Sequence, residues 1–143
     1  MHITQHTDYA LRVLMFLAAN EHRRPTIKEI SDTFGISRNH LMKVVNALIR
    51  EGFVHGMRGR GGGLRLAQPP AQIRLGTVVR VMEPGMNLVE CFGTGGGCLL
   101  QPGCRLTGVL SRALEAFMAQ LDASTLADIV GPRQHQVMFV VAT

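Results

Sequence analysis

Apolar residues recur at helical spacing near the start of the chain. In the stretch 8–21, positions 11, 14, 15 and 18 are apolar and lie on one face of a helix. Thr7 is placed to cap this helix, and Asp8 suits the positive end of its dipole. The segment His22–Pro25 is expected to end it.

The next apolar stripes predict a helix-turn-helix. Thr26 and Glu29 have the spacing of a capping box and start a short second helix, and Gly35 suits the left-handed position that ends it. Ser37 is expected to cap a third helix, which Gly52 ends. Its apolar face is formed by Leu41, Val44, Val45, Leu48 and Ile49. Two short helices joined by a tight glycine-containing turn are typical of this motif.

A glycine-rich segment separates two short strand-like runs, 53–55 and 64–66. Glycine permits a tight reversal, and Arg58 and Arg60 lie at the tip of the segment. A β-hairpin with arginines at its tip, directly after a helix-turn-helix, predicts a wing that contacts the phosphates or the minor groove of DNA.

The sequence of the second half of the chain predicts a long helix that follows a glycine-rich loop. After Pro69-Pro70 the pattern indicates a short helix over 77–83, a glycine-rich loop over 91–104 and a helix over 105–121. The apolar seam of that last helix is wide for so short a chain, so we expect a partner subunit to cover it. The expected fold is mainly α with a small β wing. It comprises a winged helix-turn-helix domain (1–70), a glycine-rich loop with a dimerisation helix (71–130) and a tail (131–143) without a firm pattern.

Charge is distributed unevenly along the chain. The net charge is +5, and residues 1–66 carry all of it, with ten Lys and Arg against five Asp and Glu. A basic surface on one side is typical of nucleic-acid binders. A charged fraction of 17% argues against disorder, and no apolar run is long enough to cross a membrane. The start of the chain lacks the pattern of a signal peptide, so we expect a cytoplasmic protein with no membrane partner.

The polar residues of the helix-turn-helix and the wing are the candidate DNA contacts. They are long or hydrogen-bonding side chains placed where a recognition helix enters the major groove, although a solvated helix face would look similar. The pattern leaves open which residues touch bases and which touch phosphates. The set comprises Lys28, Ser37, Arg38, Asn39, His40, Lys43, Arg58 and Arg60.

Three cysteines, Cys91, Cys98 and Cys104, fall in the glycine-rich loop. In a reducing compartment, metal ligation or redox chemistry is expected of them rather than a disulfide framework. Their gaps of six and five residues differ from those of most zinc ribbons and ferredoxins. Zinc with a fourth ligand and three buried thiols stay open as alternatives to an iron–sulfur cluster.

Five segments in order resemble the winged helix-turn-helix repressors of the NsrR/IscR type. They are 26–30, 37–48, 51–54, 58–67 and 73–75, and the likeness continues to about residue 130. The resemblance implies a homodimer that binds an operator in double-stranded DNA. It also implies one iron–sulfur cluster per subunit, [2Fe–2S] or [4Fe–4S], held by the three cysteines near the dimer interface.

Thr107 separates the two branches of that family. Regulators of the IscR type carry a histidine ligand three residues after the third cysteine, where this chain has threonine. The chain is more similar to the NsrR branch, which implies nitric oxide as the signal and derepression of genes for nitrosative stress. That branch also implies an oxygen ligand from the partner's first helix, which corresponds to Asp8. A first-turn carboxylate is equally explained by the helix dipole, and His2, His6 and Glu90 are alternative ligands.

Other classes of function stay open as rivals. An enzyme is not expected, because the sequence has no nucleophile–base motif and the glycines at 59–63 lack the Lys and Ser/Thr of a phosphate-binding loop. A structural metal module for dimerisation, and a regulator of cluster assembly like IscR, are the remaining alternatives.

Overall fold

The computed structural model describes residues 2–138, which form seven α-helices and one two-stranded sheet. The first helices and strands are α1 (Gln5–Ala19), α2 (Ile27–Phe34), α3 (Arg38–Arg50), β1 (Val54–Met57) and β2 (Gly63–Leu66). The remaining helices are α4 (Leu75–Met82), α5 (Arg105–Ala123), α6 (Leu126–Ile129) and α7 (Pro132–Met138), and short 3-10 turns lie at Pro70–Gln72 and Glu90–Phe92. Residues 139–143 of the expected tail lie outside the described residues.

Helix α1 begins three residues earlier than its pattern predicts. Its cap is Thr4, whose Oγ1 accepts a hydrogen bond from the Thr7 backbone N–H at 3.4 Å. The prediction that Thr7 caps the helix is therefore wrong. Thr7 is fully buried, and its hydroxyl donates to Glu83 Oε2 at 2.6 Å, which draws it into the core.

The helix-turn-helix is confirmed in detail. Thr26 Oγ1 accepts from the Glu29 backbone N–H at 3.3 Å, and Glu29 Oε2 accepts from the Thr26 N–H at 2.6 Å. Gly35 takes the left-handed conformation with φ of 65°. Ser37 Oγ then accepts from the His40 N–H at 3.2 Å and starts α3.

The wing is an antiparallel hairpin, as predicted. Its register runs from the Val54–Leu66 pair to the Met57–Gly63 pair. The base of the hairpin lies directly on the segment before α2, where the Leu64 N–H donates to the Pro25 carbonyl at 2.8 Å. A Cβ at Gly63 would lie only 2.3 Å from the Arg24 carbonyl oxygen, so this approach requires glycine.

One hydrophobic core joins the helix-turn-helix half of the chain to its second half. Fully buried side chains of α1 and α3 pack with residues of α4, α6 and α7, including Phe16, Leu41, Val78, Leu126 and Met138. Buried Asn20 supports this closure, because its Nδ2 donates to the Phe16 carbonyl at 2.8 Å and to the Met138 carbonyl at 3.0 Å. The described part of the segment that gave no firm pattern, Pro132–Met138, therefore packs against the end of α1.

The end of α5 is tied to α4 through Asp122. The two Nη atoms of Arg80 contact its carboxylate at 2.5 and 2.7 Å, and Arg74 Nη1 donates to its backbone carbonyl at 2.8 Å. Gly76 makes room for this contact, since a Cβ there would lie 1.9 Å from Asp122 Oδ1. The rest of α5 is largely open, and Met118 is its single buried residue.

The expected fold class, a winged helix-turn-helix with a long additional helix, is confirmed by these elements. Large apolar side chains of α5 stay exposed, with 60% of Leu106, 54% of Val109 and 37% of Phe117 accessible. Within residues 2–138, none of the helices combines the length and apolarity needed to cross a membrane.

Candidate cluster-binding cavity and nucleic-acid interface

The three cysteines line one cavity. It has a volume of about 260 Å³ and lies between the glycine-rich loop and the start of α5. Cys91 follows directly on Glu90, Cys98 lies in the loop, and Cys104 is the residue that caps α5. The remaining wall is largely apolar and is built from Val89, Leu100, Leu106 and Leu110, with Glu90, Gln101 and Thr107 as polar members.

Thr107 is the polar residue that organises two of the thiols. Its Oγ1 lies 3.6 Å from Cys91 Sγ. The Thr107 hydroxyl, followed by the Thr107 and Leu106 backbone N–H groups, donates to the Cys104 sulfur and lowers the pKa of that thiol. A thiol with a lowered pKa is more readily converted to the thiolate, which is the form that binds metal.

The loop glycines allow the chain to fold closely around Cys91. A Cβ at Gly96 would lie 3.2 Å from the Cys91 Cα, tighter than side chains normally pack. The Cys91 carbonyl also accepts a hydrogen bond from Gln101 Nε2 at 3.5 Å. The backbone thus returns on itself beside the first cysteine and brings the other two thiols to the same cavity.

The cavity fits an iron–sulfur cluster in its donors and its surroundings. Three thiols with an apolar wall match the ligands and the shielding that such clusters use. Within residues 2–138, no three His, Cys, Asp or Glu side chains converge closely enough to hold a single metal ion. The three thiols nevertheless line one shared cavity.

The candidate oxygen and nitrogen ligands do not all lie beside the cysteines. Glu90 lines the cysteine cavity, whereas Asp8, His2 and His6 are not among its lining residues in the described chain. His2 instead lines a separate cavity of about 540 Å³ between the chain start, the 83–88 segment and α5. If Asp8 binds the same metal as the three thiols, it has to do so from a second subunit.

Asp8 begins a series of contacts that reaches α3. It pairs with Arg12 one turn along α1, with Nη2 to Oδ2 at 2.8 Å and each side chain 44% exposed. The Arg12 guanidinium lies over the Tyr9 ring at 5.8 Å. The Tyr9 ring contacts the His40 ring edge-on, with 4.7 Å between centroids.

The predicted DNA contacts fall into two groups. Arg38, Asn39 and Lys43 are exposed on α3, and Arg58 and Arg60 are exposed on the wing. His40, Ser37 and Lys28 already have partners within the chain, namely Tyr9, the α3 N-terminus and Asp32. The Lys28 Nζ to Asp32 Oδ2 distance is 2.7 Å, and both side chains stay largely exposed.

Glu83, which the sequence did not single out, fixes the start of α1. Its Oε2 accepts from the Thr7 hydroxyl at 2.6 Å and from the Thr4 N–H and hydroxyl at 3.1 Å each. Burial acts to raise the pKa of Glu83, but the hydrogen bonds from Thr7 and Thr4 outweigh it, so the net pKa is lowered. These partners lie far apart in the sequence, and no local pattern reveals them.

Comparison with known proteins matches the chain to transcriptional regulators. The sequence profile of the Rrf2 family, described as iron-dependent transcriptional regulators, matches residues 3–132. The chain is 50% identical over 135 residues to the HTH-type transcriptional regulator NsrR of Geobacillus kaustophilus, covering 93% of this chain and 92% of that protein. It is 47% identical to NsrR of Bacillus licheniformis, covering 94% of this chain and 96% of that protein.

Solved structures share the architecture. CymR (YrzC), the global cysteine regulator of B. subtilis, superimposes with a TM-score of 0.77 at 27% identity, covering 91% of this chain and 96% of that one. IscR of T. potens has a TM-score of 0.70 at 24% identity, covering 90% and 85%, which is a likeness of fold.

Proposed function

The chain belongs to the Rrf2 family of iron-dependent transcriptional regulators, and from this premise we propose that it is a DNA-binding repressor that senses nitric oxide through an iron–sulfur cluster. The observation that carries the proposal is the cavity lined by all three cysteines at the N-terminus of α5, on the same chain as a winged helix-turn-helix. The two relatives named NsrR support the choice of signal.

Cys91, Cys98 and Cys104 are the residues that would hold one cluster per subunit, of the [2Fe–2S] or [4Fe–4S] type. When bound, the cluster supplies iron that reacts with nitric oxide. Thr107 favours the thiolate form of Cys104, and apolar side chains form most of the remaining wall of the site. Asp8 of the second subunit is the proposed oxygen ligand, since three thiolates leave a position for one more.

The contacts of Asp8 offer a route from ligand exchange to the DNA-binding surface. As a ligand Asp8 would be withdrawn from Arg12, whereas in the single chain it pairs with Arg12. Arg12 lies over Tyr9, and Tyr9 contacts His40 in the first turn of α3. A change in the position of Arg12 would therefore alter the contact of Tyr9 with His40, which supports the recognition helix α3.

DNA binding rests on the exposed groups of α3 and the wing. Arg38, Asn39 and Lys43 face the major groove, and Arg58 and Arg60 contact phosphates or the minor groove beside it. His40 positions the helix through its contact with Tyr9, and Ser37 and Lys28 are the proposed contacts to backbone phosphates. In a homodimer, two such helices about one duplex turn apart match an inverted-repeat operator.

The genes under control are those for defence against nitrosative stress, because release of a repressor by nitric oxide is useful where its targets consume nitric oxide.

The exposed apolar face of α5 supplies the dimer interface. Catalysis is not part of the proposal, since the relatives and structural neighbours that carry functional names are regulators.

Anaerobic purification of the full chain tests the proposal. An operator duplex is first selected from a randomised pool, and its affinity and the visible absorption spectrum are measured before and after nitric oxide. We expect a coloured protein whose affinity falls about a hundredfold on exposure, equivalent to about 2.8 kcal/mol. A colourless protein, or a coloured one that stays bound, contradicts the sensor.

Two further outcomes separate the alternatives. If the protein releases the operator on iron starvation but not on exposure to nitric oxide, it is a regulator of cluster assembly. The variant Cys98→Ala changes an exposed side chain, so its fold is expected to persist. If this variant loses the metal yet keeps full operator affinity, the metal is only a structural element of the dimer.

A further inference from the structure

The outward face of α3 carries three uncharged side chains in one line. The buried face packs into the core through Leu41, Val44, Val45 and Leu48. Asn39, Met42 and Asn46 lie opposite, three and four residues apart, and all three are exposed. We call these three residues the recognition stripe. Because it lies along the centre of the exposed face, it is the part of α3 that reaches deepest into a groove.

Met42 is the unusual member of the recognition stripe. Its side chain is 48% exposed, although it is long and apolar. Single exposed apolar residues are ordinary on protein surfaces, so exposure alone decides nothing. Its neighbours on the stripe are amides, and the cations Arg38 and Lys43 flank it. A flexible thioether among groups that suit DNA is placed to contact an apolar feature of the groove floor.

The two asparagines are available for base recognition. Within residues 2–138, neither the Asn39 nor the Asn46 side chain takes part in a hydrogen bond. An asparagine amide can donate to N7 and accept from the N6 amino group of adenine with both of its polar atoms. The same base pair presents the thymine C5 methyl group in the major groove, which is an apolar target.

We infer that the recognition stripe reads adenine–thymine pairs, with Met42 against a thymine methyl group and Asn39 and Asn46 on adenine edges. The inference rests on the proposed function as a DNA-binding repressor and specifies the bases that it recognises. Arg38 and Lys43, which flank the stripe, contact phosphates and contribute affinity without base preference.

Removal of single methyl groups from DNA tests the role of Met42. The probe is the duplex selected from a randomised pool by the full-length protein, with each thymine replaced in turn by deoxyuridine. We expect at least one position per half-site where the replacement weakens binding about fourfold, as loss of one buried methyl group implies. In the Met42→Ala variant the penalty at that position disappears, while the penalties elsewhere are unchanged.

Adenine analogues test the asparagines in the same way. Replacing an adenine by 7-deazaadenine removes the N7 acceptor and leaves the rest of the pair intact. We expect a loss of about fivefold at the contacted adenines, and no further loss at the same positions in Asn46→Ala or Asn39→Ala.

Lys43→Ala is the matched control on the same helix face. It should weaken binding to every duplex alike and lower the slope of log affinity against log salt by about 1, with the thymine methyl penalty intact. If the penalty persists in Met42→Ala, or if no thymine is sensitive, the inference is wrong while operator binding still supports the proposed function. If the protein enriches no sequence from the pool, the proposed function fails as well.

Discussion

Thr107 shows how one side chain beside the cysteines changes the chemistry of their thiols. The sequence excludes it as a metal ligand, because threonine replaces the histidine of IscR-type regulators. Its hydroxyl nevertheless lies 3.6 Å from Cys91 Sγ and helps to lower the pKa of Cys104. This role depends on the start of α5 and the loop meeting at one cavity, which spacing alone does not reveal.

Glu83 provides a residue-level prediction of pH dependence. Its folded pKa lies below the unfolded value of 4.5, so its stabilising contribution is present above pH 4.5 and is lost as the pH falls through the folded pKa. Glu83→Gln should lower the free energy of unfolding at pH 7 by about 1 kcal/mol and reduce the loss of stability on acidification. Urea unfolding at several pH values measures both effects.

The control for Glu83→Gln is Glu115→Gln, which alters an exposed carboxylate on α5. It should leave the stability near its original value. An equal loss of stability in both variants would contradict the role of Glu83 in anchoring α1.

Asp8 and Asp32 form a matched pair of residues. Each is paired with a cation one turn along its helix, at 2.8 Å for Arg12 and 2.7 Å for Lys28. Asp8→Asn should change the stability of the cluster-free protein by less than about 1 kcal/mol, as is usual for exposed pairs. The loaded protein should lose its visible absorption to an iron chelator on the order of tenfold faster.

Asp32→Asn removes a similar ion pair from α2, far from the proposed cluster. Its absorption should decay at the original rate. If Asp8→Asn also decays at that rate, Asp8 does not serve as a ligand.

At the scale of elements, local signals predict the DNA-binding half well. The capping box of α2, the left-handed Gly35 and the cap of α3 all lie where the sequence places them, because each depends on residues within a few positions. The wing is predicted for the same reason, since turn residues separate two short strands.

Elements fixed by distant contacts are predicted less well. Thr4 and Thr7 are both capping residues by type, and both hydrogen-bond to the distant Glu83, in an arrangement that leaves Thr4 at the cap and Thr7 buried. Helix α7 has seven residues and is held by the contact of Asn20 with the Met138 carbonyl, 118 positions apart. Neither contact leaves a periodic pattern in the sequence.

The wing gives the prediction at this scale. Arg58→Ala and Arg60→Ala should each weaken binding to selected and unrelated duplexes alike, and each should lower the salt slope by about 1. Titrations at several salt concentrations measure this change. Arg133→Ala, on exposed α7, removes the same charge away from the hairpin and should leave the slope unchanged. A preferential loss for the selected duplex would show instead that the wing reads bases.

On the scale of the whole molecule, the hydrophobic core is completed within one chain, but the long helix α5 leaves most of its side chains exposed. Buried residues of α1, α3, α4, α6 and α7 complete a core within one chain, whereas α5 contributes one buried residue along its length. In the proposed dimer, a second copy would cover the exposed side chains of α5 and bring a second Asp8 to the assembly.

Val109→Glu tests this arrangement. Val109 is 54% exposed in the single chain, so a charge there should leave each subunit folded but separate the dimer. Sedimentation should show monomers, and operator affinity should fall at least about tenfold because half-sites are then bound singly. Val137→Glu, at a 72% exposed position on α7, is the control and should remain dimeric. A dimeric Val109→Glu protein would place the interface elsewhere.

Gly76 makes the junction between α4 and α5 rigid. The absence of a Cβ lets the Asp122 carboxylate press against the α4 backbone, where Arg80 holds it from the next turn. Sliding or rotation of α5 on α4 at this point would separate the Arg80–Asp122 ion pair. A rotation of α5 at this end would therefore also displace α4, and the residue that follows α4, Glu83, holds Thr4 and Thr7 at the start of α1.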